Sequence, residues 1–350
     1  MQITTLITSC GGEIIPGIID CLRSEPDYDF EIIGIDMDDD AIGQRFVDSF
    51  YTVPGGLDDE YIPRMREIVE HEDVDIIVPI SDQETRSLSK HKDVFHAVGA
   101  EVLTPDGEAV EISSDKGSML EYLDNNGVKV PEYRIPNSFE ELDEAVFELG
   151  YPKENVVLKP RRQRAARGFW MLSDERSTQD LVMNEKCLQT LPYNSLRELV
   201  EGKPELPDLV VMEYLRGPDF NVDCLSIDTS SVYQIPIQRV KPAAGPVQVG
   251  ETVHDSRVQD MAKDICDTFE FEYNTNVELA YPTTCRERDP LVYEINPRVS
   301  GPIATHKAAG INLLLYGILT ALGEGVPVDE KFDEIRVNRC WQEIYTTGGE

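Results

Sequence analysis

Long hydrophobic runs are missing from this chain: no stretch reaches the roughly 20 uninterrupted apolar residues that a membrane-crossing helix needs, so a soluble protein is expected. Positive charge is also scarce. Lys and Arg number 32 against 66 Asp and Glu, a formal charge of -34, and so acidic a surface repels nucleic-acid phosphates and anionic membranes alike. Cysteine pairing motifs are absent: Cys10, Cys21, Cys187, Cys224, Cys266, Cys285 and Cys340 are scattered and odd in number, as reduced thiols of a cytoplasm would be. The five histidines form no zinc-ligand pattern and no His-Glu-x-x-His helix. No secretory leader is expected either, because Met1–Ser9 starts without a basic segment and runs into Cys10-Gly11-Gly12 instead of a small-residue cleavage site. A Walker phosphate loop is lacking too, since Gly202-Lys203 is followed by Pro204 and has no earlier glycine at the required spacing.

What is present begins with alternation. Ile3–Ile7, Glu31–Ile35 and Asp75–Pro79 read as apolar strands, and Ile14–Arg23, Glu60–Glu70 and Gln83–Val98 as helices, which together predict a parallel, doubly wound sheet. Asp36 at the end of the second strand raises a nicotinamide cofactor, but the turn Ser9-Cys10-Gly11-Gly12-Glu13 lacks the Gly-x-Gly-x-x-Gly spacing and puts an acid where pyrophosphate would lie. A second unit opens near Ser113, whose hydroxyl is expected to cap a helix Asp115–Asn126 closed by Gly127. A strand around Tyr133, a helix Ser138–Leu149, a strand Asn155–Lys159 and a helical stretch Ser177–Val200 follow. From Leu209 the texture becomes β, with alternating runs Leu209–Leu215, Phe220–Ile227 and Val232–Val240, a helix Ser256–Phe269, strands Thr275–Tyr281 and Leu291–Ile295, a buried helix or helix pair Ala304–Leu322 and a terminal strand Arg336–Tyr345. For 350 residues, three units are expected, at 1–112, 113–205 and 206–350.

Two segments carry chemistry. Lys159-Pro160-Arg161-Arg162-Gln163-Arg164-Ala165-Ala166-Arg167-Gly168 gathers five basic residues in a strongly acidic protein, which points to an anion, with Lys159 held on a strand end. Glu294-Ile295-Asn296-Pro297-Arg298 ends an apolar strand, so Glu294 and Asn296 share a face, and an upstream strand offers Glu278. Three oxygen ligands suit Mg2+, and Arg298 then lies one step beyond, able to stabilise a transferring phosphoryl group.

On Glu294-Ile295-Asn296-Pro297-Arg298-Val299-Ser300-Gly301, together with Asp115-Lys116-Gly117, Val156–Pro160 and Met212-Glu213-Tyr214-Leu215-Arg216-Gly217-Pro218-Asp219, the chain resembles the ATP-grasp superfamily, in its carbamoyl-phosphate-synthase-large-chain-like branch. The likeness extends to Asp36–Pro54 and Val74–Glu84 of the N-terminal unit. It implies an α/β and α+β protein: a doubly wound, Rossmann-like pre-ATP-grasp domain followed by a two-subdomain ATP-grasp fold. It implies Mg-ATP, with two Mg2+ ions or Mn2+ in their place, bound between the subdomains, and an ADP-forming ligase that joins a small-molecule carboxylate to an amine or thiol through an acyl phosphate. By the same likeness Lys116 and Lys159 contact phosphates, the backbone of Glu213 and Leu215 reads adenine, Asp219 holds ribose, Glu278, Glu294 and Asn296 carry the metal, and Arg298 the γ-phosphate. Arg239 and Lys241 are either further anion contacts or surface charges. A homodimer is compatible with this reading. Departures are the Ala- and Arg-rich phosphate loop, where Arg164 and Arg167 are open to an anionic substrate, Asp rather than Glu at 219, and Glu rather than Gln at 278. Two alternatives share these residues: phosphorylation of bicarbonate or carbamate, for which the chain is shorter than a duplicated synthase and lacks a biotin carrier, and a binding module without catalysis.

An excess of carboxylates resembles proteins of salt-rich cytoplasm, where counterions screen self-repulsion. The thermal midpoint is expected to rise as KCl goes from dilute buffer toward molar concentration; calorimetry across that range checks it, and a flat midpoint overturns it.

Overall fold

The computed structural model describes residues 1–162, 169–174, 190–200, 205–240, 247–340 and 342–345. Three sheets organise these residues. The first contains β1 (Gln2–Ile7), β2 (Asp29–Asp36), β3 (Ser49–Thr52), β4 (Ile76–Val78) and β5 (Glu101–Val102), all parallel, in the order β3-β2-β1-β4-β5. Both faces of β1 are buried: Ile3 and Ile7 pack with Ile15 and Ile18 of the helix Ile15–Arg23, and Leu6 packs with Tyr61 and Met65 of the helix Tyr61–His71. That is why β1 reads as a nearly continuous apolar run. Chain order reverses between β1 and β4, and the crevice at their carboxyl ends is where such sheets bind ligands. Asp36 is already engaged there, accepting from the Gly11 amide at 2.6 Å and the Asp38 amide at 3.0 Å.

The second sheet has the order β6-β10-β7-β8-β9, from β6 (Tyr133–Arg134), β7 (Val156–Pro160), β8 (Trp170–Leu172), β9 (Thr190–Leu191) and β10 (Leu209–Glu213). The third sheet has the order β15-β14-β11-β12-β13-β16, from β11 (Asp219–Ile227), β12 (Ser230–Arg239), β13 (Val249–Thr252), β14 (Tyr273–Ala280), β15 (Leu291–Asn296) and β16 (Arg336–Asn338), every pairing antiparallel. Among the described residues no helix is long and apolar enough to cross a membrane.

Several boundaries differ from expectation. The stretch Gln83–Val98 is two helices, Asp82–Ser89 and Lys92–His96. Within Ser177–Val200, residues 190 and 191 are strand β9, and the described helix is Tyr193–Val200. The terminal strand stops at Asn338. β10 lies beyond position 205 in sequence, yet it pairs with β6 and β7 of the second sheet. Helices Ile303–Ala308 and Leu313–Ala321, the expected pair, bury Ile303, Leu314 and Ile318 in the same cluster as Ile3 and Ile18, so the first sheet and the C-terminal part share a core.

Ser113 does not cap the following helix; it ends the helix Gly107–Ser113 and its hydroxyl donates back to Ala109 O at 2.7 Å. The cap of Lys116–Asn125 is Asp115, whose Oδ1 accepts from the amides of Gly117 and Ser118, both at 3.0 Å. Asp115 is buried and also takes Arg161 Nε at 2.8 Å and Arg162 Nε at 2.9 Å, while the Lys116 amide donates to Arg161 O. A Cβ on Gly117 would lie 2.8 Å from Arg161 Nε, so a larger residue there would push that guanidinium off Asp115. The triplet Asp115-Lys116-Gly117 thus ties a helix start to the end of β7.

Burial alone would raise the Asp115 pKa, but the Ser118 amide and the Arg161 guanidinium outweigh it and hold it below the usual carboxylate range. A depressed folded value contributes stability that is present above the unfolded pKa of about 3.9 and lost as pH falls through the folded one. Asp115→Ala is expected to cost about 2–4 kcal/mol at neutral pH, since it removes a cap and leaves two arginines unpaired. It should also weaken the acid limb of the stability profile, as urea titrations from pH 7 downward would measure; a loss below about 0.5 kcal/mol overturns this role.

Candidate functional site

The site grows from two antiparallel neighbours. β14 and β15 set Glu278 opposite Glu294 and Asn276 opposite Asn296. Past that pair the register shifts, with Leu279 opposite Val292, and Tyr293 is the extra residue of a β-bulge. The bulge brings Tyr293 to the same side as Glu294, against strict alternation. Its hydroxyl lies 2.7 Å from Asp219 Oδ1 and 3.0 Å from Glu278 Oε2, and its ring carries the Lys159 ammonium 4.2 Å from the centroid.

Three carboxylates and three cations meet here. Glu294 takes Lys116 Nζ at 3.5 Å on Oε1 and Lys159 Nζ at 3.7 Å on Oε2. Arg239 Nη2 lies 3.0 Å from Glu278 and its Nε 3.3 Å from Asp219. Arg239 is therefore no surface charge: its side chain is 9% exposed. Lys159 is buried, which pushes its ammonium pKa below the usual range; Glu294 opposes that push and Lys116 adds to it. Burial likewise raises the Glu278 carboxyl, with Arg239 pulling the other way. The Tyr293 hydroxyl is held well above its ordinary value by burial and by the carboxylates of Asp219 and Glu278. Each cation comes from a different element: Lys116 from the first residue of a helix, Lys159 from β7 and Arg239 from the end of β12.

Arg298 lies just past β15. Its Nη2 donates to Asn296 Oδ1 at 3.2 Å, its Nη1 to Val299 O at 2.9 Å, and its Nε to Asp82 at 2.5 Å. Asp82 opens the helix that follows β4, so the crevice of the first sheet faces the Glu294 cluster through this ion pair. Glu84, two residues on, is buried and accepts from Thr8 Oγ1 at 2.7 Å, which closes the carboxyl ends of β1 and β4 onto each other.

Of the residues named from sequence, Lys116, Lys159, Asp219, Arg239, Glu278, Glu294, Asn296 and Arg298 are joined by these contacts. Glu213 and Leu215 lie apart, at the end of β10 and in the link to β11. The Glu213 amide is already committed to Glu132 O at 2.9 Å, so that N–H is not a donor for a base edge. Lys241, Arg164 and Arg167 fall outside the described residues. Sequence reasoning gave no role to Tyr293 or Asp82. Tyr293 was hidden because strand alternation puts it on the opposite face, and a bulge between two apolar runs leaves no mark in composition.

Two family models match: "PylC-like, N-terminal domain" over residues 5–103 and "ATP-grasp in the biosynthetic pathway with Ter operon" over residues 205–342. A carbamoyl phosphate synthase large chain of Methanosarcina barkeri is 27% identical over 301 residues, covering 83% of this chain but 26% of that protein. The chain thus spans about a quarter of the length of that relative. The fold is similar to a biotin carboxylase of Campylobacter jejuni, solved with an ATP analogue, at TM-score 0.68 and 17% identity, covering 94% of this chain and 73% of that one. It is also similar to the N5-carboxyaminoimidazole synthetase of Staphylococcus aureus, complexed with ADP, at TM-score 0.68 and 16% identity, covering 93% and 79%. With the Glu-x-Asn-Pro-Arg strand end, its lysine partners and the N-terminal parallel sheet in one molecule, these likenesses support an ATP-grasp protein similar to the carbamoyl phosphate synthase large chains.

Proposed function

We propose that this protein is an ADP-forming ligase that binds Mg-ATP between the second and third sheets, phosphorylates a small-molecule carboxylate and passes the acyl group to an amine or thiol. The observation that carries this reading is Glu294, clasped by Lys116 and Lys159 from the second sheet's side. An oxygen-only donor set of Glu278, Glu294 and Asn296 fits a hard divalent ion that keeps phosphate oxygens and water for its remaining positions. When bound, such an ion neutralises charge on the transferring phosphoryl group.

The protein's own groups do the rest. Lys116 and Lys159 leave Glu294 for the phosphates and act as fixed charges on rigid elements. Burial and a neighbouring cation make Lys159 an ammonium that gains most when an anion arrives. Arg239 holds Asp219 and Glu278 in place, which orients the ribose and metal contacts together. Arg298, braced by Asp82, presents its guanidinium where the γ-phosphate meets an acceptor lying over the crevice of the first sheet. The acceptor carboxylate then needs no side-chain nucleophile, since positioning and charge stabilisation suffice for this transfer.

Glu294→Gln removes the carboxylate common to both lysines and the metal while keeping the shape. It is expected to lower ATP turnover at least about 100-fold with an unchanged far-ultraviolet spectrum. Lys159→Ala should mainly raise the KM for ATP. ADP release in the presence of pooled carboxylates and amines measures both, and undiminished release by a folded Glu294→Gln protein overturns the assignment.

A further inference from the structure

Behind the Glu278–Glu294 pair lies a second buried polar cluster that the proposed chemistry leaves unused. Asp223 on β11 is 2% exposed and His306 on the helix Ile303–Ala308 is 0% exposed. His306 Nε2 lies 2.6 Å from Asp223 Oδ2, and Ser300 Oγ donates to the same oxygen at 2.7 Å. His306 Nδ1 has no hydrogen-bond partner among the described residues. The other carboxylate oxygen, Oδ1, accepts from Asn276 Nδ2 at 3.2 Å. Asn276 Nδ2 also reaches Asn221 Oδ1 at 2.8 Å, and Asn276 Oδ1 accepts from Asn296 Nδ2 at 3.3 Å.

An amide's two ends have nearly the same shape and opposite hydrogen-bonding character, so its orientation is set by its partners. An ionised carboxylate only accepts. Asn276 turns its NH2 toward two acceptors, Asp223 and Val222 O at 3.3 Å, which leaves its oxygen facing Asn296 and Asn221. Asn296 offers its NH2 to that oxygen and to Glu278 Oε1 at 3.5 Å, and its own oxygen faces outward, to where Arg298 Nη2 lies at 3.2 Å. Reversing Asn296 would aim N–H groups at Arg298 and at any bound cation. Asn221, Asn276 and Asn296 are 5%, 1% and 9% exposed, so water does not repair a wrong orientation.

We propose that the Asp223–His306 pair is a positioning unit that, acting through Asn276, joins Glu278 and Arg298 in holding the amide of Asn296 with its oxygen toward the metal. The proposal rests on the metal reading of Glu278, Glu294 and Asn296 given above. Its signature is serial: cutting the relay at either point should have the same effect, and cutting it twice should do no more. The variants are Asp223→Asn, which allows either amide orientation, Asn276→Leu, which leaves the Asp223–His306 pair intact, and their combination.

Mn2+ binding to the full-length protein in the presence of ADP, read by electron paramagnetic resonance of free Mn2+, is the measurement. Each single variant is expected to weaken Mn2+ by about 10-fold, the scale on which groups behind metal ligands act. The double variant should stay within about two-fold of the weaker single one, with ADP affinity in the absence of metal unchanged. Wild-type Mn2+ affinity in Asn276→Leu, or a double loss equal to the product of the single losses, overturns the relay while leaving the metal site standing. Should Asp223→Asn fail to fold, Asn276→Leu alone decides. A wild-type protein that binds no Mn2+ with ADP overturns the metal reading and this inference together.

Discussion

Buried carboxylates need compensation, and in this fold the compensating charges come from elsewhere in the chain. Glu294 sits on the third sheet, while the ammonium groups that balance it are carried by the helix Lys116–Asn125 and by β7. Glu294 is 20% exposed, so removing one partner leaves a partly buried charge uncompensated, at a cost below that of a fully buried pair. The apolar cluster that joins Val157, Val210 and Met212 to Phe220 and Val222 holds the second and third sheets against each other, and these ion pairs add to it. Asp115 explains why Lys116 can take part: its carboxylate binds the helix amides and both arginines that follow β7, so the two lysine-bearing elements are tied before either reaches Glu294.

The first sheet is held by a parallel logic. Arg298 pairs with Asp82, Lys307 Nζ lies 2.6 Å from Asp20 Oδ2, and Asn312 Nδ2 donates to Cys21 O at 2.7 Å and to Glu25 Oε1 at 2.7 Å. Below these polar ties runs a continuous apolar cluster, from Ile3 and Ile18 through Tyr233 and Ile235 to Leu314 and Ile318. Sequence order therefore overstates the independence of the parts. The N-terminal residues fold around helices that arrive some 300 positions later, and the crevice of the first sheet is aimed at the Glu294 cluster by contacts that neither half makes alone.

Much of this was legible in the sequence for identifiable reasons. Period-two and period-3.6 patterns placed β1, β2, β11, β12 and β15 and most helices, because one-sided burial writes itself into composition. Glu294, Asn296 and Glu278 could be grouped because alternate strand residues share a face and an acidic residue within an apolar run is conspicuous. What stayed hidden was set by tertiary partners. The cap moved from Ser113 to Asp115 because Arg161 and Arg162 reward the carboxylate. Short strands such as β5 and β9 carry only two residues, too few for a period. Tyr293 required knowledge of a register shift, and the Asp223–His306 pair joins residues separated by 83 positions with no motif between them.

The overall charge and the site belong to one electrostatic design. A molecule with formal charge -34 surrounds itself with a negative potential that disfavours free triphosphate in dilute salt and concentrates cations. Inside the site, Asp219, Glu278 and Glu294 are matched by Lys116, Lys159 and Arg239, so the local balance is close to neutral. A neutral site within a negative field discriminates by net charge. On the proposed reading, bare nucleotide would be repelled on approach, and a bare divalent ion, though attracted to the surface, would meet carboxylates already paired with ammonium and guanidinium groups. A nucleotide whose charge is partly neutralised by metal would, on the same reading, be repelled less on approach, and its oxygens would compete with Glu294 for Lys116 and Lys159. On that reading, the acidity that repels polyanions from the surface would also favour metal-complexed over bare nucleotide at the site.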